Sequence, residues 1–181
     1  MKLCLIACSG LLALAAVASG CTSDNSQSTA AGPAAFAADA PPEGASVFLR
    51  AQSNLLQLGS PDRVVVDVVA RGAADVHGAA FRVTWDPEAL GFVEAQSGPP
   101  WSKTMLSLAK EGSPGQLAVA WTEKGETGID ASGETVIGTL TFDARGRKGT
   151  ALGFKSERSQ LVDKKGARVA VTWRGGTIPA R

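Results

Sequence analysis

From residue 46 to the end, the chain repeats one pattern: short β-branched, aliphatic or aromatic runs, each closed by a cluster of turn-forming residues. The run RVVVDVVA at 63–70 is too short for a stable amphipathic helix, is dominated by valine, and lies between Ser60-Pro61-Asp62 and Gly72. It reads as a strand. Phe81, Val83 and Trp85 alternate with Arg82 and Thr84, Asp86-Pro87 opens a turn, and Leu90, Phe92 and Val93 resume. That is strand, turn, strand, with Asp86 placed to cap the turn through its side chain. Further runs at 46–52, 104–109, 116–122, 135–143, 150–155 and 167–177 are separated by segments such as EGSPG, RGRKG and DKKG. One stretch, 102–110, competes as a helix but is short and flanked by Pro100 and Gly112.

About nine strands with turns at regular intervals specify an all-β fold, a nine-stranded antiparallel β-sandwich rather than βαβ units. Alternate strand positions then face the opposite sheet. The expected core is Phe81, Val83, Trp85, Leu117, Val119, Trp121, Ile137, Leu140, Phe142, Leu152 and Phe154. The step from Ile137 to Leu140 breaks the alternation, which predicts a bulge near Gly138.

The N-terminal 45 residues have a different character. Lys2 precedes an uncharged Ala/Leu-rich run from 3 to 18, the size of a secretory signal and too short to span a bilayer comfortably. The run ends in Ala18-Ser19-Gly20-Cys21, followed by polar Thr22, Ser23, Asp24 and Asn25. This resembles the lipobox of bacterial lipoproteins, which implies removal of residues 1–20, lipidation of Cys21 and attachment to the extracytoplasmic side of a membrane in the bacterial cell envelope. Ala18 stands where leucine is usual, so ordinary cleavage after Ala18 is the alternative. Cys4 and Cys8 would leave with the signal, and no disulfide, thiolate nucleophile or cysteine metal site would remain. Residues 21–45 read as the lipidated cysteine and a disordered linker, with Phe36 the one large apolar side chain. Residues 46–181 form the domain.

The whole chain is nearly neutral, with 18 basic and 17 acidic residues, which disfavours nucleic acid as a partner. Without the linker's Asp24, Asp39 and Glu43 the domain is mildly basic, most of the excess falling after residue 145. Those charges are dispersed and lack the aromatic interleaving that base stacking needs.

In order and spacing, VVVDVV, GAAFRVTWDPEALGFVEAQSG at 78–98, GQLAVAW at 115–121, GETVIGTLTFDARGRKGTALGF at 133–154 and the closing VTWRGGTI resemble a cohesin domain. The resemblance spans 46–178 and is most specific at Trp85-Asp86-Pro87 with Leu90 and at the 138–142 strand. It implies jelly-roll topology, structural kinship with carbohydrate-binding modules, and docking of a dockerin-like protein through one sheet. The matching positions specify the fold, whereas partner choice rests on exposed positions.

On the two strands of that sheet, Ala80, Arg82 and Thr84 and, beside them, Ala118, Ala120 and Thr122 should point outward. The small alanines leave room for a helix, and Arg82 can pair with an acidic group on it. A polysaccharide ligand is the alternative and needs exposed aromatic rings; Trp85, Trp121 and Trp173 fall on inward positions, which leaves Trp101, after Pro99-Pro100, as the expected exposed ring. Nothing calls for catalysis. His77 lacks HxH, HExxH or CxxC context and is expected in an exposed loop, and there is no phosphate-binding glycine loop. No cofactor and no metal are implied.

Overall fold

The computed structural model describes residues 35–41, 43–52 and 62–181. Two sheets and a small two-stranded ribbon make up the fold. In the first sheet, β7 (Leu106–Ser113), β8 (Gln116–Thr122) and β5 (Gly78–Thr84) run side by side and antiparallel. The far edge of β5 is shared: β12 (Gln160–Val162) pairs with its first half and β11 (Thr150–Phe154) with its end. From there the sheet continues through β12 to β13 (Arg168–Val169), and through β11 to β15 (Gly176–Ile178) and β1 (Ala37–Ala38). The second sheet has the order β14 (Thr172–Arg174), β2 (Ser46–Ala51), β3 (Arg63–Arg71), β10 (Thr135–Ala144) and β6 (Leu90–Ser97). The β14 to β2 pairing is parallel, the other pairings in the two sheets antiparallel. The ribbon joins β4 (Ala73–Val76) to β9 (Ile129–Ala131).

The sandwich is therefore built as the strand pattern requires, with short strands added at its margins. The expected 167–177 run is divided among β13, β14 and β15, and β1, β4, β9 and β12 come from segments too brief to show a period of two. Every expected core residue lies in the buried cluster except Phe154, which is partly buried against it. Ring contacts tie the layers together, Trp85 edge-to-face on Phe142 at 5.1 Å and Phe154 against Trp173 at 5.0 Å between centroids, while Phe81 packs edge-to-face on Trp121 within the first sheet at 5.4 Å. The continuous valine run of β3 is explained by burial on both sides, since Val64, Val66 and Val68 face the core while Val65 and Val69 are also shielded.

The irregularity at Gly138 is a register shift between Val136 and Gly138 in the β10 to β3 pairing. Its cause is space. A Cβ at Gly138 would lie 1.9 Å from Cη2 of Trp121, so this strand of one sheet accepts the indole of the other only where it has no side chain.

Two sequence expectations are corrected by packing. The folded part begins before residue 46: Phe36 is 6% exposed, and Ala37 and Ala38 pair with Thr177 and Gly176. The Phe36 ring occupies the space a side chain at Gly176 would fill, so a single apolar residue fixes a segment whose composition reads as linker. His77, expected in an exposed loop, is buried. Its backbone N–H donates to Val162 and its carbonyl accepts from Glu123, which continues the β5 alignment and gives it the inward phase of Ala79 and Phe81.

Candidate partner-binding face

The register of β5 against β8 puts Ala80 opposite Ala120, Arg82 opposite Ala118 and Gly78 opposite Thr122. Phe81, Val83, Val119 and Trp121, on the intervening positions, are buried between the sheets. Strand alternation then sends Ala80, Arg82, Thr84, Ala118, Ala120 and Thr122 to the outer face, and the structure brings all six together there. The Thr84 hydroxyl is turned to the neighbouring strand, donating to the Gly153 carbonyl at 3.4 Å.

Strand β7 extends this face. Leu106 pairs with Thr122, Leu108 with Ala120 and Lys110 with Ala118, so both leucines join the outer side. They are 56% and 60% exposed and, with Val93 on the other sheet, make up the large exposed apolar side chains of the described residues. Sequence reasoning missed them because 104–109, though read as a strand, was not placed beside β8 on the binding sheet. The signal was Leu106 and Leu108 spaced by two, with Ser107 between them. On the opposite flank β12 contributes Gln160, beside Ala80, and Val162, beside Gly78. A Cβ at Gly78 would come within 2.7 Å of Val162 Cγ2, so the valine leans over a position that has to be glycine.

The face carries cations in register and no carboxylate. Lys110 and Arg82 flank Ala118 on neighbouring strands, and Lys155 follows β11 with its N–H on the Arg82 carbonyl. Among the described residues the Arg82 guanidinium and the Lys110 ammonium have no hydrogen bond or ion pair within the protein. Their charges are open to a partner.

Glu123, just past β8, sets where β7 begins. Its buried carboxylate accepts from the Ser102 N–H at 2.9 Å and the Ser102 hydroxyl at 2.5 Å, and also from the N–H groups of Lys124 and Gly125. These donors, the Ser102 hydroxyl first, hold its pKa down to about 2. The loop that enters β7 is thereby clamped to the end of β8. At the opposite end Asp86 caps its turn as expected, accepting from the Glu88 N–H at 2.9 Å. The Lys148 ammonium sits 2.7 Å from Asp86 and 2.8 Å from Glu88, lowering the Asp86 pKa while its own is raised.

Trp101 is not the exposed ring that a sugar platform needs. It is 7% exposed, its indole N–H donates to the Ile137 carbonyl at 2.7 Å, and its ring lies 6.5 Å from that of Trp121. The prolines before it turn the chain inward and make Trp101 a plug between the sheets. Trp85 and Trp121 are buried as their strand phase requires and Trp173 is partly buried, so the polysaccharide alternative loses its one candidate. Cys21 lies outside the described residues. Within them no helix is long and apolar enough to cross a membrane, and no group of three or more His, Cys, Asp or Glu could hold a metal ion.

The described residues form a two-sheet β-sandwich, antiparallel but for the β14 to β2 pairing, with the outer face of β5, β8 and β7 open. More closely, the fold is that of the cohesin modules. Similar solved structures include the sixth cohesin of scaffoldin B from Acetivibrio cellulolyticus, in complex with a Cel5 dockerin mutant. It is 20% identical at a TM-score of 0.59, covering 76% of this chain and 99% of that one. The cohesin module of a family 33 glycoside hydrolase from Clostridium perfringens is 14% identical, TM-score 0.59, covering 75% and 96%. A non-cellulosomal cohesin from the archaeon Archaeoglobus fulgidus is 20% identical, TM-score 0.52, covering 64% and 78%. A scan of protein families and a search of curated proteins return no match for the chain.

Proposed function

We propose that this protein is a non-catalytic docking module that binds a dockerin-like protein through the outer face of β5, β8 and β7. A lipid on Cys21 would hold it to the extracytoplasmic side of a bacterial membrane. The observation that carries the docking reading is Leu106 and Leu108, more than half exposed beside the small floor of Ala118 and Ala120. A monomer gains nothing by presenting two leucines on a flat sheet, whereas an interface core does. The scaffoldin B cohesin of the same fold is recorded in complex with a dockerin.

Ala120 lies at the centre of the face, between Ala80 and Leu108. Arginine there would put a long charged side chain where a partner must lie flush. In a pull-down from the parent cells, Ala120→Arg should lose a partner that the wild type retains while its melting temperature stays within a few degrees; equal capture by both chains would remove this face from the reading. For the anchor, cells fed a radiolabelled fatty acid should label the wild-type chain and leave Cys21→Ser unlabelled. Label on the serine variant would rule out lipidation at Cys21.

A further inference from the structure

We propose that the free edge of β7 pairs antiparallel with the β7 edge of a second copy of this chain, joining the first sheets of the two copies into one. Among the described residues the two sheets end in β1, β13, β7, β14 and β6. Strands β1 and β13 have two residues and β14 three, and β6 is bulged at Val93, where its register against β10 shifts. Strand β7 runs for eight residues, all exposed, its inner-face positions included, so the second sheet does not cover it from beneath. An edge left to solvent is ordinarily blunted by proline, a bulge or an inward-pointing charge. From Leu106 to Lys110 β7 has none of these: its inner positions are Ser107 and Ala109, and its register against β8 shifts only after Glu111.

The ladder fixes which backbone groups this edge offers. Trp85 N–H donates to the Gly115 carbonyl and Glu123 N–H to the His77 carbonyl, so by alternation Leu117, Val119 and Trp121 bond to β5, and Ala118, Ala120 and Thr122 bond to β7. The backbone groups of their partners Lys110, Leu108 and Leu106 are thereby used, and those of Ser107 and Ala109 point to the open edge. One register about a two-fold axis suits this strand. With Ser107 opposite Ser107 of the second copy, the two serines exchange N–H···O bonds, and Ala109 N–H meets the Met105 carbonyl of the other copy. Leu106 then faces the second copy's Leu108, and the reverse, in non-hydrogen-bonded pairs where side chains lie closest. These leucines are 56% and 60% exposed in the single chain. Glu111, whose carboxylate reaches only the Gly115 N–H at 3.4 Å, comes opposite Lys103, which has no hydrogen bond or ion pair among the described residues. The neighbouring registers are poorer: Leu108 on Leu108 sets Lys110 against Leu106, and Leu106 on Leu106 sets Leu108 against Thr104. The pairing uses the edge and leaves the outer face open, so the dimer carries two such faces on one sheet.

The test uses the full chain in its own cells, treated with the permeant thiol oxidant diamide. In the paired state the Ser107 Cα atoms are about 5.5 Å apart, a separation that a disulfide bridges. Ser107→Cys should therefore give a covalent dimer well above the wild-type background. Two copies of Ala109 lie about 14 Å apart in the same register, so Ala109→Cys should give at least tenfold less, and Met105→Cys combined with Ala109→Cys should restore the dimer. Proline at 109 removes an N–H that faces the open edge, a place where edge strands tolerate it. Ala109→Pro added to Ser107→Cys should cut the crosslink at least tenfold while chain abundance is unchanged and the melting temperature stays within a few degrees. Without any introduced cysteine, two differently tagged wild-type copies should co-purify and two Ala109→Pro copies should not. A Ser107→Cys yield no higher than that of wild type or Ala109→Cys, or co-purification equal with and without the proline, overturns the pairing.

Discussion

Gly138 is where the two sheets are fitted to each other, and adding one methyl group there has a calculable effect. The Cβ of Gly138→Ala would lie 1.9 Å from Cη2 and 2.3 Å from Cζ3 of Trp121, and 2.8 Å from the Gln96 carbonyl oxygen. Neither side can yield easily. The Gln96 oxygen belongs to β6, paired with Thr139 of β10, while Trp121 is fully buried with Phe81 5.4 Å and Trp101 6.5 Å from its ring. Overpacking a close-packed interior costs about 1–3 kcal/mol, and a rigid wall on both sides places this case at about 3 kcal/mol. For a domain of this size that lowers the melting temperature by about 6–12 °C. Urea unfolding should show a lower midpoint with an unchanged slope, since the surface exposed on unfolding is the same. A double-mutant cycle isolates the cause. Trp121→Leu alone costs about 2–4 kcal/mol through lost contacts and cavity, but it vacates the space, so Gly138→Ala in that background should be nearly neutral, with a coupling of about 2 kcal/mol or more. A cost below about 0.5 kcal/mol for the single variant, or the same cost in both backgrounds, would refute the steric account of the bulge.

Trp101→Ala should destabilise the domain by about 3–5 kcal/mol, as expected for a buried tryptophan that also leaves the Ile137 carbonyl without its donor; an unchanged melting temperature would return Trp101 to the surface. Glu123 makes stability depend on pH in a definite direction. Its carboxyl is depressed from an ordinary value of 4.5 to about 2 in the folded protein, so its contribution is complete above about pH 4.5 and is lost as pH falls through about 2. Melting curves from pH 6 to pH 2 should therefore fall less steeply for Glu123→Gln than for wild type, and parallel curves would contradict the clamp.

Much of the sandwich is written in the sequence because a strand that separates core from solvent must alternate, and alternation is local. Phe81, Val83 and Trp85, and likewise Leu117, Val119 and Trp121, announce their inward phase without knowledge of a neighbour. Their partners in phase, Ala80, Arg82, Ala118 and Ala120, follow automatically as the outer face. The irregular step between Ile137 and Leu140 shows in the same way, as a break in an otherwise kept rhythm. Strands of two or three residues, such as β1, β9 and β12, carry no period and stay hidden. Strand β7 is legible only in part, because an edge strand exposed on both sides has no core face to impose hydrophobic contrast.

Sequence alone determined the all-β class, the inward and outward sets of β5 and β8, and the turn at Asp86-Pro87, since each depends on residues next to one another in the chain. The tertiary structure decided which aromatic rings meet water, that Phe36 belongs to the core, that His77 is covered, and that Leu106, Leu108 and Lys110 complete the face begun by β5 and β8. These properties depend on what packs from elsewhere in the chain: the Ile137 carbonyl waiting for Trp101, the space above Gly176 for Phe36, the Val162 carbonyl beside His77. Alternation says which way a side chain points, and only the neighbouring strand or loop determines what it meets there.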